Sequence, residues 1–365
     1  MNKDVLIVAS EFPPGPGGIG NHAFSMAKAF DRKGFNVVVV ACGDFVDKDT
    51  IERFDSRQTF RIVRYKDAGF GLKYLLRLMT IAKNLRPNII LSGKFSLWMA
   101  LWIKMFSRKS NLTSILHGTE VNLPNSFLRR LTHKSIATAD NIVAVSNYTR
   151  DLLPDWILRH RDVHVIPNGI DLTDIPDPKD AGILKGKPAI LTVGNVTPRK
   201  GQHRVIKALP EILKKYPDAH YHIVGLPTYK NDFYELAKSL GVEKSVTFHG
   251  RAESFDQVCS FYKAADVFAI LSENQSDGDC EGFGIVILEA GYFFLPAIGA
   301  KGCGIEDAIR NGANGCLVDG DDKEEIAEAI KTITDRYDSF AKGARAWALD
   351  HDWNNIVNDL IKLMK

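Results

Sequence analysis

Short apolar runs of strand length alternate along the chain with stretches of helical periodicity. This alternation is typical of parallel α/β units, in which a helix follows each strand and packs on the sheet. The runs form two series of predicted strands. The first series is Val5–Ala9, Asn36–Cys42, Asn88–Leu91, Leu112–Leu116, Asn141–Val145 and Val163–Ile166. The second is Ala189–Val193, His220–Val224, Val246–His249, Val267–Leu271, Pro296–Ile298 and Cys316–Val318. The pattern predicts an α/β protein with two Rossmann-like, doubly wound domains.

A segment without periodicity separates the two series. It contains Pro167-Asn-Gly-Ile-Asp171 and Ile175-Pro-Asp-Pro178, whose prolines and turn residues interrupt regular structure. We therefore predict an N-terminal domain at 1–170 and a C-terminal domain at 171–345. Residues 346–365 are predicted to form a C-terminal helix that could cross back to the N-terminal domain. The carboxyl ends of two such sheets are expected to face a shared cleft, where ligands usually bind.

Composition restricts the class of protein. The 365 residues suit two domains, and 45% hydrophobic with 25% charged residues is a globular composition. The apolar run near the N-terminus is too short for a secretory signal, and no segment approaches membrane-spanning length, so we expect a cytoplasmic protein. The five cysteines show no Cys-x-x-Cys pairing, which favours reduced thiols over disulfides or a metal cluster.

Charge is distributed unevenly between the two series. Residues 1–170 carry 24 Lys and Arg against 14 Asp and Glu, and the remainder carries 23 against 30. A basic N-terminal half suits an anionic partner such as a membrane surface or a phosphorylated acceptor. The stretches Leu72–Arg86 and Phe95–Phe106, with Arg129-Arg130, could dock on anionic lipid, and the alternative is core helices with basic edges. Nucleic acid is not expected, because no nucleic-acid motif is present.

The clearest ligand signal is Glu281-Gly-Phe-Gly-Ile-Val-Ile-Leu-Glu289, with two carboxylates eight positions apart around two glycines. The glycines suit a loop, and a helix is predicted to start at Ile285. Unpaired N–H groups near Gly284, Ile285 and Val286 would face a bound anion at the positive end of the helix dipole. Glu289, one turn further, could accept hydrogen bonds from hydroxyls attached to that anion. A phosphate beside a sugar indicates a nucleotide sugar, and the alternative is an acidic first helical turn without a ligand.

A glycine-rich segment follows the first predicted strand. Gly15, Gly17 and Gly20 match the Gly-x-Gly-x-x-Gly dinucleotide fingerprint, and Asp44 could serve as the ribose acid of a dehydrogenase. Three prolines lengthen the connection beyond the tight turn that the fingerprint needs. We favour a loop whose backbone amides reach a phosphate or an acceptor.

A second loop carries adjacent cations. Gly194-Asn-Val-Thr-Pro-Arg-Lys-Gly201 lies between a predicted strand and a helix. Arg199 and Lys200 could neutralise a departing diphosphate at the helix N-terminus, and a solvated basic loop is the alternative.

Two further motifs lie at predicted strand ends. His117-Gly-Thr-Glu120 places a histidine where it could stabilise charge on a sugar or bond a hydroxyl, although a lone histidine is often structural. Asp277-Gly-Asp279 resembles a manganese-binding Asp-x-Asp motif. We interpret it instead as part of a polar loop that covers the donor sugar, and we expect no metal.

Taken in order, these motifs resemble the retaining family-four glycosyltransferases of the two-domain GT-B fold, over nearly the full length of the chain. The elements that carry the likeness are Gly17-Gly18, His117-Gly118, Pro167-Asn-Gly169, Arg199-Lys200-Gly201, Phe248-His-Gly-Arg251 and Glu281-x7-Glu289. The second loop and the glutamate motif are most similar to bacterial mannosyltransferases that build phosphatidylinositol mannosides from GDP-mannose.

The resemblance implies residue roles. It assigns catalytic roles to His117, Lys200 and Glu281. It assigns donor binding to Gly18, Asn195, Arg199, Lys200, Arg251, Phe283, Gly284, Ile285, Val286 and Glu289. Asn195 departs from the family pattern, in which arginine commonly follows the loop glycine. Either Arg199 compensates for the lost charge or diphosphate binding is weaker.

The implied activity is transfer of a hexose, with mannose favoured, from a GDP- or UDP-sugar to a glycan or lipid-linked acceptor in cell-envelope polysaccharide or glycolipid synthesis. Retention of the anomeric configuration and no cofactor or metal are expected. A nucleotide-sugar epimerase and a catalytically weakened sugar-nucleotide-binding protein of the same fold are the alternatives. The place of action is expected to be the cytoplasm or the inner face of the membrane.

Overall fold

The chain folds into two compact units. The computed structural model describes residues 3–15, 17–44, 46–65, 80, 88–107, 110–178 and 183–364. Unit 1 comprises Met1–Gly169 and Trp353–Lys365, and unit 2 is the continuous segment Ile170–Asp352. The boundaries thus lie after Gly169 and Asp352, so residues 346–352 of the predicted C-terminal helix belong to unit 2.

Unit 1 is built on a parallel sheet that contains seven strands within its described residues. The strands are β1 Asp4–Ala9, β2 Asn36–Cys42, β3 Arg61–Tyr65, β4 Asn88–Ser92, β5 Asn111–Leu116, β6 Asn141–Ala144 and β7 Val163–Val165. Their order is β3-β2-β1-β4-β5-β6-β7. The six predicted strands are confirmed to within a residue or two at their ends. The strand β3 was missed, because it is an edge strand whose charged residues Arg61 and Arg64 weaken its apolar signal.

Helices connect these strands. Those of unit 1 are α1 Gly18–Arg32, α2 Lys48–Asp55, α3 Met99–Phe106, α4 Ser126–Thr138, α5 Asn147–Asp151, α6 Asp155–Leu158 and, from the end of the chain, Trp353–Lys362. The last helix packs against α1. The predicted basic stretch Leu72–Arg86 lies outside the described residues, apart from Thr80.

Unit 2 repeats the architecture with a parallel sheet of six strands among its described residues. The strands are β8 Ala189–Val193, β9 His220–Val224, β10 Val246–Gly250, β11 Val267–Ile270, β12 Ala297–Ala300 and β13 Gly315–Val318. Their order is β10-β9-β8-β11-β12-β13. All six predicted strands of the second series are confirmed, with shifts of a residue or two at some ends, because both faces of this sheet are covered and its strands read as continuous apolar runs.

The helices of unit 2 include the predicted glutamate helix. They are α7 Gln202–Lys215, α8 Lys230–Ser239, α9 Phe255–Ala264, α10 Ile285–Tyr292, α11 Ile305–Ala308, α12 Lys323–Asp335 and α13 Tyr337–Asp350, so the C-terminal helix of unit 1 is α14. In each sheet the strand order reverses at the first strand, between β1 and β4 and between β8 and β11. The loops after these strands therefore border the crevice where doubly wound sheets bind ligands.

Candidate active site

The helix α10 begins with an open N-terminus. Its N-cap is Gly284, whose φ of +91° is a left-handed conformation that favours glycine. A Cβ atom at this position would lie 2.5 Å from Cδ1 of Ile305, so a side chain has no room there. No side chain of the described residues caps the helix. The first amides of α10, those of Ile285 and Val286, thus lie at the positive end of its dipole, an arrangement that suits an anion.

Glu281 precedes this helix and pairs with two cations. Its Oε2 atom accepts hydrogen bonds from Nζ of Lys200 at 2.5 Å and from a guanidinium nitrogen of Arg199 at 2.8 Å. Burial would raise the pKa of the Glu281 carboxyl, but the charges of Lys200 and Arg199 and their hydrogen bonds outweigh it, so the pKa lies below its ordinary value. The carboxylate is ionised at neutral pH.

The loop that carries these cations is fixed by close backbone contact. Gly201, at φ +73°, ends the Pro198–Lys200 turn and starts α7. A Cβ atom on Gly201 would lie 1.9 Å from the carbonyl oxygen of Leu271, which follows β11. The stem of Lys200 lies over Gly194, since a Cβ atom there would be 3.5 Å from Cε of Lys200. Glycine at both positions thus places the ammonium group beside Glu281.

An outer layer of ion pairs surrounds this cluster. Nε of Arg199 lies 3.0 Å from Asp279, and Arg204 pairs with Glu273 at 3.1 Å and with Asp321 at 3.0 Å. Asp279 of the Asp-Gly-Asp motif thus contacts a cation of the chain itself. Among the residues that the structure describes, no three His, Cys, Asp or Glu side chains are grouped to hold a metal ion.

Glu289 lies on α10 and contacts the neighbouring helix. Its Oε2 accepts a hydrogen bond of 2.8 Å from the hydroxyl of Tyr262 on α9. Burial raises the pKa of Glu289, although the bond from Tyr262 and the charge of Lys200 oppose the shift. Tyr262 was not predicted from the sequence, because it lies in a different helix and outside any motif.

Three further predicted donor residues of unit 2 are Phe283, Asn195 and Arg251. Phe283 is buried, with its ring 6.2 Å from that of His351. Asn195 is exposed, and its carbonyl oxygen accepts a hydrogen bond from Gln202. Arg251 is exposed just after β10. Arg199, the residue that could compensate for Asn195, is paired with both Glu281 and Asp279.

In unit 1, His117 follows β5 and is buried. Its Nε2 atom lies 3.1 Å from Oγ of Ser92, which ends β4, and its ring is 4.7 Å from that of His22 on α1. Burial lowers the pKa of His117 to about 4, so the imidazole is neutral at physiological pH. The backbone N–H of His117 donates to the Glu120 carboxylate at 2.5 Å.

Acidic and basic groups near His117 were not predicted from the sequence. Glu120 is buried, which raises the pKa of its carboxyl, and its Oε2 has no hydrogen-bond partner among the described residues. Lys94 lies 3.8 Å from Glu11. The Glu11 carboxylate lies beside Gly17, because a Cβ atom there would be 2.2 Å from its Oε2. Gly18 begins α1, with open space where a Cβ atom would lie.

Two known protein families match this chain, one over its first half and one over its second. The family "Glycosyltransferase Family 4" matches residues 16–174, and "Glycosyl transferases group 1" matches residues 175–347. Solved GT-B glycosyltransferase structures share the fold with TM-scores of 0.7 or higher over nearly the whole chain. The chain belongs to the GT-B glycosyltransferases. The dehydrogenase alternative for the glycine loop is therefore discarded.

Relatives of this glycosyltransferase include enzymes of lipid mannosylation. The GDP-mannose-dependent alpha-(1-6)-phosphatidylinositol monomannoside mannosyltransferase of Mycolicibacterium smegmatis is 27% identical over 368 residues, which cover 95% of this chain and 94% of that protein. The monoacylated alpha-(1-6)-phosphatidylinositol monomannoside mannosyltransferase of Corynebacterium glutamicum, also GDP-mannose-dependent, is 27% identical over 97% of this chain and 95% of its own length.

Solved structures similar to this glycosyltransferase establish its fold. Anabaena HepE in complex with UDP and glucose has a TM-score of 0.76 at 21% identity and covers 98% of both chains. Sucrose-phosphate synthase from Thermosynechococcus elongatus has a TM-score of 0.75 at 18% identity and covers 99% of this chain and 98% of its own.

Proposed function

We propose that this glycosyltransferase moves a hexose, with mannose favoured, from a nucleoside diphosphate sugar to a glycan or lipid-linked acceptor with retention at the anomeric carbon. The observation that carries the proposal is the open N-terminus of α10 next to the ion pairs of Glu281 with Lys200 and Arg199. The names of the mannosyltransferase relatives support mannose and a lipid-linked acceptor.

Donor binding would use groups that now neutralise one another. The diphosphate would bind the first amides of α10 and the ammonium group of Lys200, while Glu289 would accept hydrogen bonds from the ribose. The approach of phosphate to Lys200 frees Oε2 of Glu281 from part of its ion pairing. That carboxylate would then bind sugar hydroxyls. The neutral ring of His117, in unit 1, is likewise suited to bind a sugar hydroxyl.

Retention follows if acceptor and leaving group share one face of the sugar. The bond between the anomeric carbon and the diphosphate oxygen breaks, and the acceptor oxygen forms its bond on the face that the diphosphate leaves. The acceptor proton passes to the departing diphosphate, which serves as the base. Lys200 and the amides of α10 stabilise the negative charge on the leaving group, so no metal is required.

The reaction is tested by incubating the full chain with GDP-mannose, UDP-glucose or UDP-galactose, an acceptor and EDTA, and by assigning the product anomer by NMR. The expected result is an α-linked product from one donor, with turnover unaffected by EDTA. A β-linked product would exclude retention, and loss of turnover in EDTA would exclude metal independence. Interconversion of donors without an acceptor would identify an epimerase, and thermal stabilisation without turnover a binding protein.

The assigned residues are tested by Lys200→Met and Glu281→Gln. Each removes a group expected to act on the donor, so turnover should fall by about 100-fold or more. Lys207→Met is the matched control, because Lys207 is exposed on α7, two turns beyond Lys200. A control that loses as much activity as Lys200→Met would refute the assignment.

We propose further that unit 1 contacts anionic membranes through α3 and α4. These helices pack together, and the exposed side chains Trp102, Met105 and Phe106 of α3 follow helical spacing. On α4, Phe127 is 73% exposed, and the exposed Arg130 lies one turn further. Exposed aromatic side chains with nearby cations are typical of interfacial binding. Within the described parts of the chain, no helix combines the length and apolarity needed to span a bilayer.

Vesicle sedimentation tests this surface. The chain should bind phosphatidylglycerol-containing vesicles and not pure phosphatidylcholine, and the double variant Trp102→Ser, Phe106→Ser should bind at least several-fold more weakly. Tyr234→Ser removes an exposed aromatic side chain from unit 2 and serves as the control. Equal binding of all three proteins would refute the proposal.

A further inference from the structure

We propose that Trp353, the first residue of α14, positions His117 through His22. The inference rests on the proposed function in one respect, namely that His117 binds the donor sugar. It adds two residues of unit 1, His22 on α1 and Trp353 on α14.

Ring contacts connect the three side chains. The ring centroid of Trp353 lies 4.9 Å from that of His22, with an angle of 76° between the planes. The ring of His22 lies 4.7 Å from that of His117, at 84°. Edge-to-face packing at these distances is favourable and fixes the angle between neighbouring rings. The orientation of His117 is therefore tied to that of Trp353.

His22 is buried in contact with both rings. Its side chain is 4% exposed, and Nδ1 is buried without a hydrogen-bond partner among the described residues. Its contacts with the rings of His117 and Trp353 thus restrain the plane of the His22 ring. Removing the indole would leave a cavity against His22, into which that ring can rotate.

Trp353 is itself held in a well-anchored helix. Asn354, the next residue, accepts a hydrogen bond of 3.0 Å from Nε of Arg32 at the end of α1. At the other end of α14, the carbonyl oxygen of Leu363 accepts hydrogen bonds from the side chains of Asn111 and Asn141, at 2.8 and 3.2 Å. With both ends tied, α14 gives Trp353 little freedom to shift, which is what positioning a ring requires.

The pKa of His117 depends on its surroundings and therefore reports on its position. His22 faces it from α1, Ser92 from the end of β4, and Glu120 from its own loop, while Lys94 and Glu11 interact with Glu120. Burial keeps the His117 imidazole neutral, with a pKa of about 4. A cavity that admits water would reduce the desolvation and raise this pKa toward 6.5.

The kinetic test compares Trp353→Leu, Trp353→Phe and the control Leu360→Ala. Leu360 is buried in the same helix two turns beyond Trp353, so its loss also weakens packing without touching His22. Trp353→Leu should lower kcat about tenfold with less than a twofold change in the KM for the donor. It should also move the acidic limb of the pH profile upward by about one unit or more. Trp353→Phe should retain most of the activity, and Leu360→Ala should leave the acidic limb in place.

A second measurement does not depend on turnover. The pKa of His117 can be followed by NMR of the imidazole in the free proteins, with His117→Asn to assign the signal. Trp353→Leu should raise this pKa, and Leu360→Ala should not. An unchanged His117 pKa in folded Trp353→Leu would overturn the proposal, as would an equal shift in Leu360→Ala. If the NMR shift is found but no protein transfers a hexose, the proposed function fails while the positioning contact stands.

Discussion

Glu281 binds two cations through a single carboxylate oxygen. Lys200 and Arg199 both reach Oε2, while Arg199 is shared with Asp279. Such a cluster is stable before any ligand arrives, because the two acidic side chains balance the two basic ones. In the proposed reaction, a donor diphosphate would therefore exchange with existing ion pairs, and donor binding would require a rearrangement of the Glu281 carboxylate.

Acid should lower the free energy of unfolding through protonation of Glu281. Because its pKa is lower in the folded state, its stabilisation is complete above the ordinary value of 4.5 and is lost as the pH falls through the folded-state pKa. The variant Glu281→Gln lacks this dependence. Urea denaturation should show the largest deficit of Glu281→Gln against the parent near pH 6–7, and the deficit should shrink below about pH 4.5. The exposed Glu235→Gln is the control, and a deficit independent of pH would contradict the assignment.

Gly201 should tolerate substitution far less than Gly312. Both have positive φ, at +73° and +81°, but a Cβ atom on Gly201 would meet the Leu271 carbonyl at 1.9 Å, whereas Gly312 faces open space. Gly201→Ala should therefore lower the free energy of unfolding by about 2 kcal/mol more than Gly312→Ala. Denaturant titration of both variants measures the difference. Equal losses would mean that strain in φ alone accounts for the glycine.

The site was partly predictable at the residue scale. The glutamates and the cations of the second loop stand out because their motifs are local, and glycines mark where the backbone must approach closely. The Tyr262–Glu289 and Glu11–Lys94 contacts were not predicted, because strand order and helix packing bring each pair together from distant positions in its own unit. The ion pairing of Glu281 was likewise missed, since local sequence does not reveal which charges meet after folding.

At the scale of elements, each sheet contains an aspartate that accepts a hydrogen bond from a backbone N–H near the start of a neighbouring strand. Asp140 precedes β6 and accepts a hydrogen bond of 2.7 Å from the N–H of Leu112 in β5, and it pairs with Lys104. Asp266 precedes β11 and accepts a hydrogen bond of 2.7 Å from the N–H of Ala189 in β8. It also pairs with Lys187. Each aspartate thus satisfies an N–H at the start of a neighbouring strand.

Removing either aspartate should destabilise its own unit. Asp140→Ala and Asp266→Ala leave a strand N–H unpaired and should each lower the free energy of unfolding by about 1–3 kcal/mol. The matched variants Asp140→Asn and Asp266→Asn keep an acceptor oxygen and should lose less. Urea denaturation measures both pairs. A loss from asparagine as large as that from alanine would assign the effect to the lysine pair instead.

The elements themselves were largely predictable. All twelve predicted strands are present, because buried parallel strands are marked by continuous apolar runs. The edge strand β3 was missed for the opposite reason, since only Val63 of its residues is buried. The sequence indicated only that α14 could return to unit 1, because the apolar face of an amphipathic helix does not reveal which surface it covers.

At the scale of the whole molecule, the N-terminal unit depends on the end of the chain. The helix α14 buries Trp353, Ile356, Val357 and Leu360 in unit 1. Burial of a large apolar side chain contributes about 1.5–3 kcal/mol, so the four together rival the stability of an ordinary domain. Unit 2 contains no part of this helix.

Deletion of residues 353–365 should therefore unfold or loosen unit 1 and leave unit 2 largely intact. Hydrogen exchange with mass spectrometry should show loss of protection in peptides that contain β1, whereas peptides that contain β8 should keep most of theirs. Equal loss of protection in β1 and β8 would show that the two units unfold together.

Unit 1 consists of two chain segments that are synthesised at different times. Residues up to Gly169 leave the ribosome first, yet the indole that covers His22 is made only after all of unit 2. At about 5–20 residues per second, synthesis of the intervening segment takes roughly 10–40 seconds. Throughout that interval the α14-binding surface of the nascent unit is uncovered, and it is then open to chaperones and proteases that the finished protein excludes.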